Sequence, residues 1–83
     1  MTLTVQLFAR ARDLAGIDAL EVVLPTGATV AELRTAMAVA CPALRDLLPR
    51  CVVAVNDDFA QDDLELLMNA EVALIPPVSG GAC

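Results

Sequence analysis

Glu71-Val72-Ala73-Leu74-Ile75-Pro76-Pro77, running on into Val78-Ser79-Gly80-Gly81-Ala82-Cys83, is the stretch on which the reading of this chain turns. Val72 and Leu74 alternate with Ala73 and Ile75, the two-residue period of a strand. The prolines fix φ and withdraw two backbone donors, so the strand must stop pairing after Ile75. Gly80 and Gly81 then offer no side chain for a fold to grip and open backbone conformations closed to other residues. The six steps from Ile75 to Gly81 span roughly 20 Å when extended, enough for a slim tail to enter a narrow cavity in another protein. The plain alternative is a frayed chain end. The rest of the chain has to decide between them.

With 83 residues the sequence allows one domain, expected over residues 1–77, with a flexible diglycine tail and its Ala-Cys extension over 78–83. Three cysteines without CxxC spacing and no histidine suggest neither a disulfide framework nor a zinc site. Hydrophobic residues at 58% with aromatics at 2% imply a core of Val, Leu, Ala and Ile, and more apolar side chains than so small a core can hide. Some should face a partner. A net charge of -6 without a single lysine argues against nucleic acid and anionic membranes and favours a partner with a basic entrance. No apolar run approaches a membrane span, and Met1-Thr2-Leu3-Thr4-Val5 lacks the pattern of a secretory signal, so a cytoplasmic setting is expected.

Working back from the last strand, Leu3, Val5 and Leu7 alternate with Thr2, Thr4, Gln6 and Phe8, which predicts a first half-buried strand. Ala9 to Leu14 suits one short helical turn closed by Gly16, and Leu20, Val22 and Leu24 predict a second strand stopped by Pro25-Thr26-Gly27. Thr29-Val30-Ala31-Glu32 is a capping-box pattern, and Val30, Leu33, Met37 and Ala40 recur at helical spacing behind it, with Glu32, Arg34 and Thr35 on the other face. Pro42 interrupts the run, and Ala43 to Leu48 reads as a second short turn closed by Pro49. Val52 to Val55, the turn Asn56-Asp57-Asp58 and Phe59-Ala60-Gln61 predict a hairpin. Asp62 to Glu65 is read as an isolated helical turn, and Asn69 as a residue that tolerates positive φ. The element order predicts an α+β fold: a mixed sheet of about five strands with one main helix on one face, the β-grasp or ubiquitin-like arrangement. A right-handed crossover puts the first and last strands side by side at its centre.

In this frame several stretches resemble the small sulfur-carrier subunit of molybdopterin synthase, a ubiquitin-like family. They are Phe8-Ala9-Arg10-Ala11-Arg12-Asp13-Leu14-Ala15-Gly16, Leu24-Pro25 with Gly27 and Thr29-Val30, Val53-Ala54-Val55-Asn56, and Glu71 through Gly81. Sister carriers for thiamine or cysteine synthesis share the fold and the diglycine. The Phe8 to Gly16 block and Pro76-Pro77-Val78-Ser79 are more similar to the molybdopterin carrier. The resemblance implies a protein without catalysis of its own and without a bound cofactor. Its terminal glycine carboxylate would be adenylated by an ATP-using activating enzyme and converted to a thiocarboxylate. Sulfur would then pass to a pterin precursor in the large catalytic subunit. Gly81 would bear the sulfur, and Gly80 would be its slim neighbour. Because Ala82 and Cys83 follow Gly81, its carboxyl is held in a peptide bond. A metalloprotease that trims the extension is the expected remedy. Where the family usually shows Gly-Asp, this chain has Asn69-Ala70 before Glu71.

Pro76, Pro77, Val78, Ser79 and Gly80 are accordingly expected to thread toward the partner, while Phe59 and Ile75 are candidates for an exposed apolar grip on it. Phe59 could instead seal the edge of the core. Cys41 and Cys51 read as small core residues, and Cys83, with no histidine or lysine to lower its pKa, as part of a discarded end rather than a nucleophile. Arg10 and Arg12 are expected to pair with Asp13 at the surface. The acidic run Asp57-Asp58 and Asp62-Asp63-Glu65 lacks an EF-hand pattern and reads as a solvated face, with no metal site expected. A protein modifier that forms an isopeptide bond through Gly81, and a plain interaction domain indifferent to the tail, are the rival readings.

Overall fold

The computed structural model describes residues 1–77. Five strands form one mixed sheet: β1 (Thr2–Leu7), β2 (Ala19–Val23), β3 (Val52–Val55), β4 (Asp58–Ala60) and β5 (Val72–Ile75). Their order across the sheet is β2-β1-β5-β3-β4, with β1 and β5 parallel and the other neighbours antiparallel. The expected β-grasp is what the chain adopts, with the first and last strands adjacent at the centre.

One face of the sheet is covered and the other is open. Alternation decides which residues go where: Leu3, Val5 and Leu7 of β1 and Val72 and Leu74 of β5 are buried, joined by Val22 and Val53. Helix α2 (Val30–Ala40) lays Val30, Leu33 and Met37 onto that layer. Ala40 does not share this face; it is exposed, and Cys41, one residue on, packs against the core instead. The capping box forms as the spacing predicts. Thr29 Oγ1 accepts from the Glu32 amide at 3.4 Å, and the Thr29 amide donates to Glu32 Oε1 at 3.0 Å.

A second helix, α1 (Ala9–Ala15), is longer than the single turn expected, buries Ala11 and ends on Gly16 at φ 74. Between α2 and β3 lie two 3-10 turns, Pro42–Leu44 and Leu48–Arg50, and Pro49 sits inside the second instead of closing the segment. Proline fits there because the first residues of a helical turn have no intrahelical acceptor to lose.

Two further sequence expectations are corrected. Arg12 approaches Asp18 at 4.0 Å, across the loop that follows Gly16, and not Asp13. Asp62 to Glu65 forms no helical turn. It runs beside the start of α2, where Asp62 and Leu64 carbonyls accept from the Ala31 and Val30 amides and Thr29 bridges Glu65. Those amides are donors that a helix start leaves unpaired, and this segment satisfies them.

Arg34 ties these parts together. Its guanidinium donates to the Leu48 carbonyl at 2.6 Å and to Asp62 Oδ1 at 2.9 Å. Cys51 is buried beneath, its thiol donating to the Leu47 carbonyl at 3.3 Å, and Cys41 packs at the core margin. Burial pushes the Cys51 thiol up from its ordinary value, and the Arg34 charge partly opposes this.

Candidate functional site

The β5 strand is the central strand of the sheet, paired on both sides. Gln6 lies opposite Ala73 on β1, and Val52 lies opposite Ile75 on β3. Pairing stops at Ile75, where the prolines begin. Pro76 is buried, Pro77 is exposed and Ile75 is half-buried. Pro76 therefore anchors the end of the strand in the body, and Pro77 stands at its rim. Val78, Ser79, Gly80 and Gly81, expected as the threading and sulfur-bearing residues, lie outside the described residues, as do Ala82 and Cys83.

The open face next to this exit is apolar apart from Gln6. Register places Ala19, Gln6, Ala73, Ala54 and Phe59 in one row across all five strands. Phe59, at the outer end, is 79% exposed. It does not seal the core edge: it stands on β4 facing away from α2, and its in-register neighbour is Ala54 on the open side. One row nearer the exit, Val52 and Ile75 are paired, and Phe8, just beyond β1, is also exposed. Phe8 and Val52 were not singled out from the sequence as contact residues. The signal for Phe8 was its outward place in the β1 alternation with Thr2, Thr4 and Gln6; that for Val52 was its register opposite Ile75, which only the sheet order supplies.

Backbone geometry holds this surface in shape. Asn56 and Asp57 make the β3–β4 turn with φ of 51 and 72, the mirror-image turn that suits hairpin twist. Asn56 also docks the hairpin onto β5. Its amide donates to the Glu71 carbonyl at 2.8 Å and its Oδ1 accepts from the Glu71 amide at 2.9 Å. Asn69, at φ 65, takes the left-handed conformation that asparagine tolerates, as expected from the sequence.

Among the described residues no group of histidine, cysteine and carboxylate side chains is placed to hold a metal ion, and no buried side-chain polar atom lacks a partner. The surface offers shape, apolar area and position. What such an arrangement can do is bind another protein and set a chain end in a defined place.

A family model described as the ThiS family matches residues 5–81, nearly the whole chain and the diglycine with it. The chain belongs to the ThiS family. Among relatives of this ThiS-family protein, a molybdopterin synthase sulfur carrier subunit of Chlamydomonas reinhardtii is 37% identical over 83 residues, covering 98% of this chain and 100% of that one. The protein of the same name from Arabidopsis thaliana is 35% identical over 77 residues, covering 93% of this chain and 80% of that one. In structure it is similar to SAMP1 from Haloferax volcanii, a small archaeal modifier protein, with a TM-score of 0.87 at 29% identity, covering 98% of this chain and 100% of that one. The resemblance to the ubiquitin-like sulfur carriers, read from short motifs in the sequence, is thereby borne out at the level of the family.

Proposed function

We propose that this ThiS-family protein is the sulfur carrier of a molybdopterin synthase, a non-catalytic subunit that brings sulfur to the large catalytic subunit as a thiocarboxylate on Gly81. One observation supports this above the others: the chain's centre strand ends in Pro76-Pro77 beside an exposed apolar row, so docking of the body and delivery of the chain end are coupled. A strand held between two neighbours fixes position, and position is what a carrier contributes to a reaction completed elsewhere.

The chemistry of the tail follows from its residues. A carboxylate is a poor electrophile until one oxygen becomes a leaving group. The activating enzyme supplies this by transferring AMP from ATP to the Gly81 carboxylate, with release of pyrophosphate. Sulfur delivered by a donor at the oxidation level of sulfide then attacks the acyl carbon and displaces AMP, leaving the thiocarboxylate with no change of oxidation state. ATP is used by that enzyme and is not held by the carrier. Since Gly81 is followed by Ala82-Cys83, a metalloprotease hydrolyses the Gly81–Ala82 peptide bond first. The setting for all of this is the cytoplasm. Phe59 and Ile75 grip the partner, and Pro76 to Gly80 lead Gly81 to its cavity.

A second reading is a ubiquitin-like modifier joined through Gly81 to lysines of other proteins, favoured by the structural likeness to SAMP1. The two separate by mass. Replacement of one oxygen by one sulfur on the free chain marks a carrier, whereas a ladder of larger adducts marks a modifier. The direct test of the processing step compares the chain ending at Gly81 with the 83-residue chain as substrates of the activating enzyme, read as ATP-pyrophosphate exchange. Only the shorter form should exchange; equal exchange by both would overturn the trimming step.

A further inference from the structure

The open face of the sheet is not uniform along the strands. Above lie the rows already described, Phe8 with Ile75 and Val52, then Phe59 with Ala73 and Ala54. One row further from the exit the chemistry changes. Glu21 faces Thr4 across β2 and β1. Glu71 lies two residues before Ala73 on the line of β5 and opposite Asn56, and Asp57 follows at the hairpin turn. Each carboxylate is exposed. Two residues along a strand are roughly 7 Å, and two strand spacings are roughly 10 Å. The three charges thus form a strip across the sheet, one row from the apolar side chains. Asp57, Glu71, Thr2, Thr4 and Gln6 also share the walls of a shallow cavity of about 530 Å³ between strip and row.

Among the described residues no arginine lies on this face, and the Met1 ammonium at the start of β1 is taken up by the Leu24 carbonyl. The chain has no lysine, and its five arginines lie elsewhere: Arg10 and Arg12 on α1, Arg34 on α2, Arg45 and Arg50 in the segment before β3.

We infer that this face accepts its partner in a single orientation, fixed by charge: an apolar socket over Phe59, Ile75 and Phe8 at the exit end, and a basic border of Lys or Arg over Glu21, Glu71 and Asp57 at the other. The inference rests on the sulfur-carrier reading for the identity of that partner, the large synthase subunit. Its content is the direction of docking. An approach turned end for end would press cations onto Phe59 and an apolar socket onto three carboxylates, leaving both without compensation. A second copy of this chain is a poor occupant, because it brings the same carboxylates and no arginine or lysine on its own open face. Charges at such a rim act mainly on orientation and association rate, and they weaken as salt is added.

The experiment titrates the large synthase subunit of the same cell with three carriers. These are the wild-type chain, the open-face reversal Glu21→Lys/Glu71→Lys, and the control Asp46→Lys/Asp63→Lys, which makes the same change in net charge on exposed residues off this face. In about 0.05 M salt the open-face reversal should bind about tenfold more weakly or worse, and in about 0.5 M salt the gap should close to about twofold. The control should stay within about twofold of wild type in both. Equal losses by both variants would reduce the effect to net charge and overturn the proposal, as would an unaffected open-face reversal. If the wild-type carrier itself fails to bind at either salt, the sulfur-carrier reading falls and takes the orientation with it. Wild-type binding with a harmless reversal sinks only the orientation.

Discussion

Replacing Phe59 by Ser should separate folding from docking. In the free protein the ring is 79% exposed, so truncating it removes almost no buried area. The stability cost should be no more than about 0.5 kcal/mol, as for other surface changes. Docking is another matter. A phenylalanine carries about 200 Å² of accessible surface, of which roughly 160 Å² remains to be buried here. At about 25 cal/mol per Å² that is at most about 4 kcal/mol. Anchoring aromatics at interfaces fall at about 2–4 kcal/mol on truncation, or about 30- to 1000-fold in Kd. The assay pairs urea unfolding with calorimetric titration of the large synthase subunit. Leu74→Ala, whose side chain is fully buried, serves as the contrast, with an expected loss of about 2–5 kcal/mol in stability. A Phe59→Ser protein that loses more than about 1.5 kcal/mol of stability yet binds unchanged would refute the reasoning and return Phe59 to the core edge.

Three other perturbations test the frame that presents this face. Arg34→Met should cost about 2 kcal/mol in urea unfolding, because the Leu48 carbonyl loses a charged donor, whereas Asp62→Asn should cost about 0.5 kcal/mol, its carboxylate being largely solvated. Equal costs would contradict that division. Asn56→Gly should lose about 1 kcal/mol, the bond from the Glu71 amide, and Asn56→Ala about 2 kcal/mol, since alanine also resists the positive φ. Cys51 gives a pH signature. Its thiol is pushed up in the folded state, so the folded protein holds that proton more tightly than the unfolded chain. The corresponding stability is fully present below the ordinary thiol value of about 8.5 and is lost as pH rises above it. Unfolding midpoints should fall in that range for wild type and much less for Cys51→Val; parallel curves would refute the assignment.

Much of the fold could be read from residues because local and global demands agree in them. Leu3, Val5 and Leu7 alternate, Thr29 and Glu32 cap, Pro76-Pro77 stop a strand, and each sits in the structure as its own chemistry requires. The misreadings share a cause. Asp62 to Glu65 has helical composition, but the unpaired amides of Val30 and Ala31 compete for its carbonyls, and a one-dimensional reading cannot see them. Arg12 reaches Asp18 because Gly16 turns the chain, and Arg34 is fixed by Leu48 and Asp62, both distant in sequence. For the candidate site, period two placed Phe8, Phe59 and Ile75 on the outward side. Strand order was needed to bring Phe59 into line with Ala73, Ile75 beside Val52, and Glu21 onto the same face as Glu71. Lateral neighbours belong to the sheet and not to any one strand.

The central claim is that this body exists to hold out a carboxyl group on Gly81 that reacts inside another protein. It is tested most directly by the intact mass of the native carrier, isolated in complex with the large synthase subunit from actively synthesising cells. The account predicts a chain ending at Gly81 with one oxygen replaced by sulfur in a fraction of molecules. A functioning complex in which the carrier still ends in Ala82-Cys83 would contradict it.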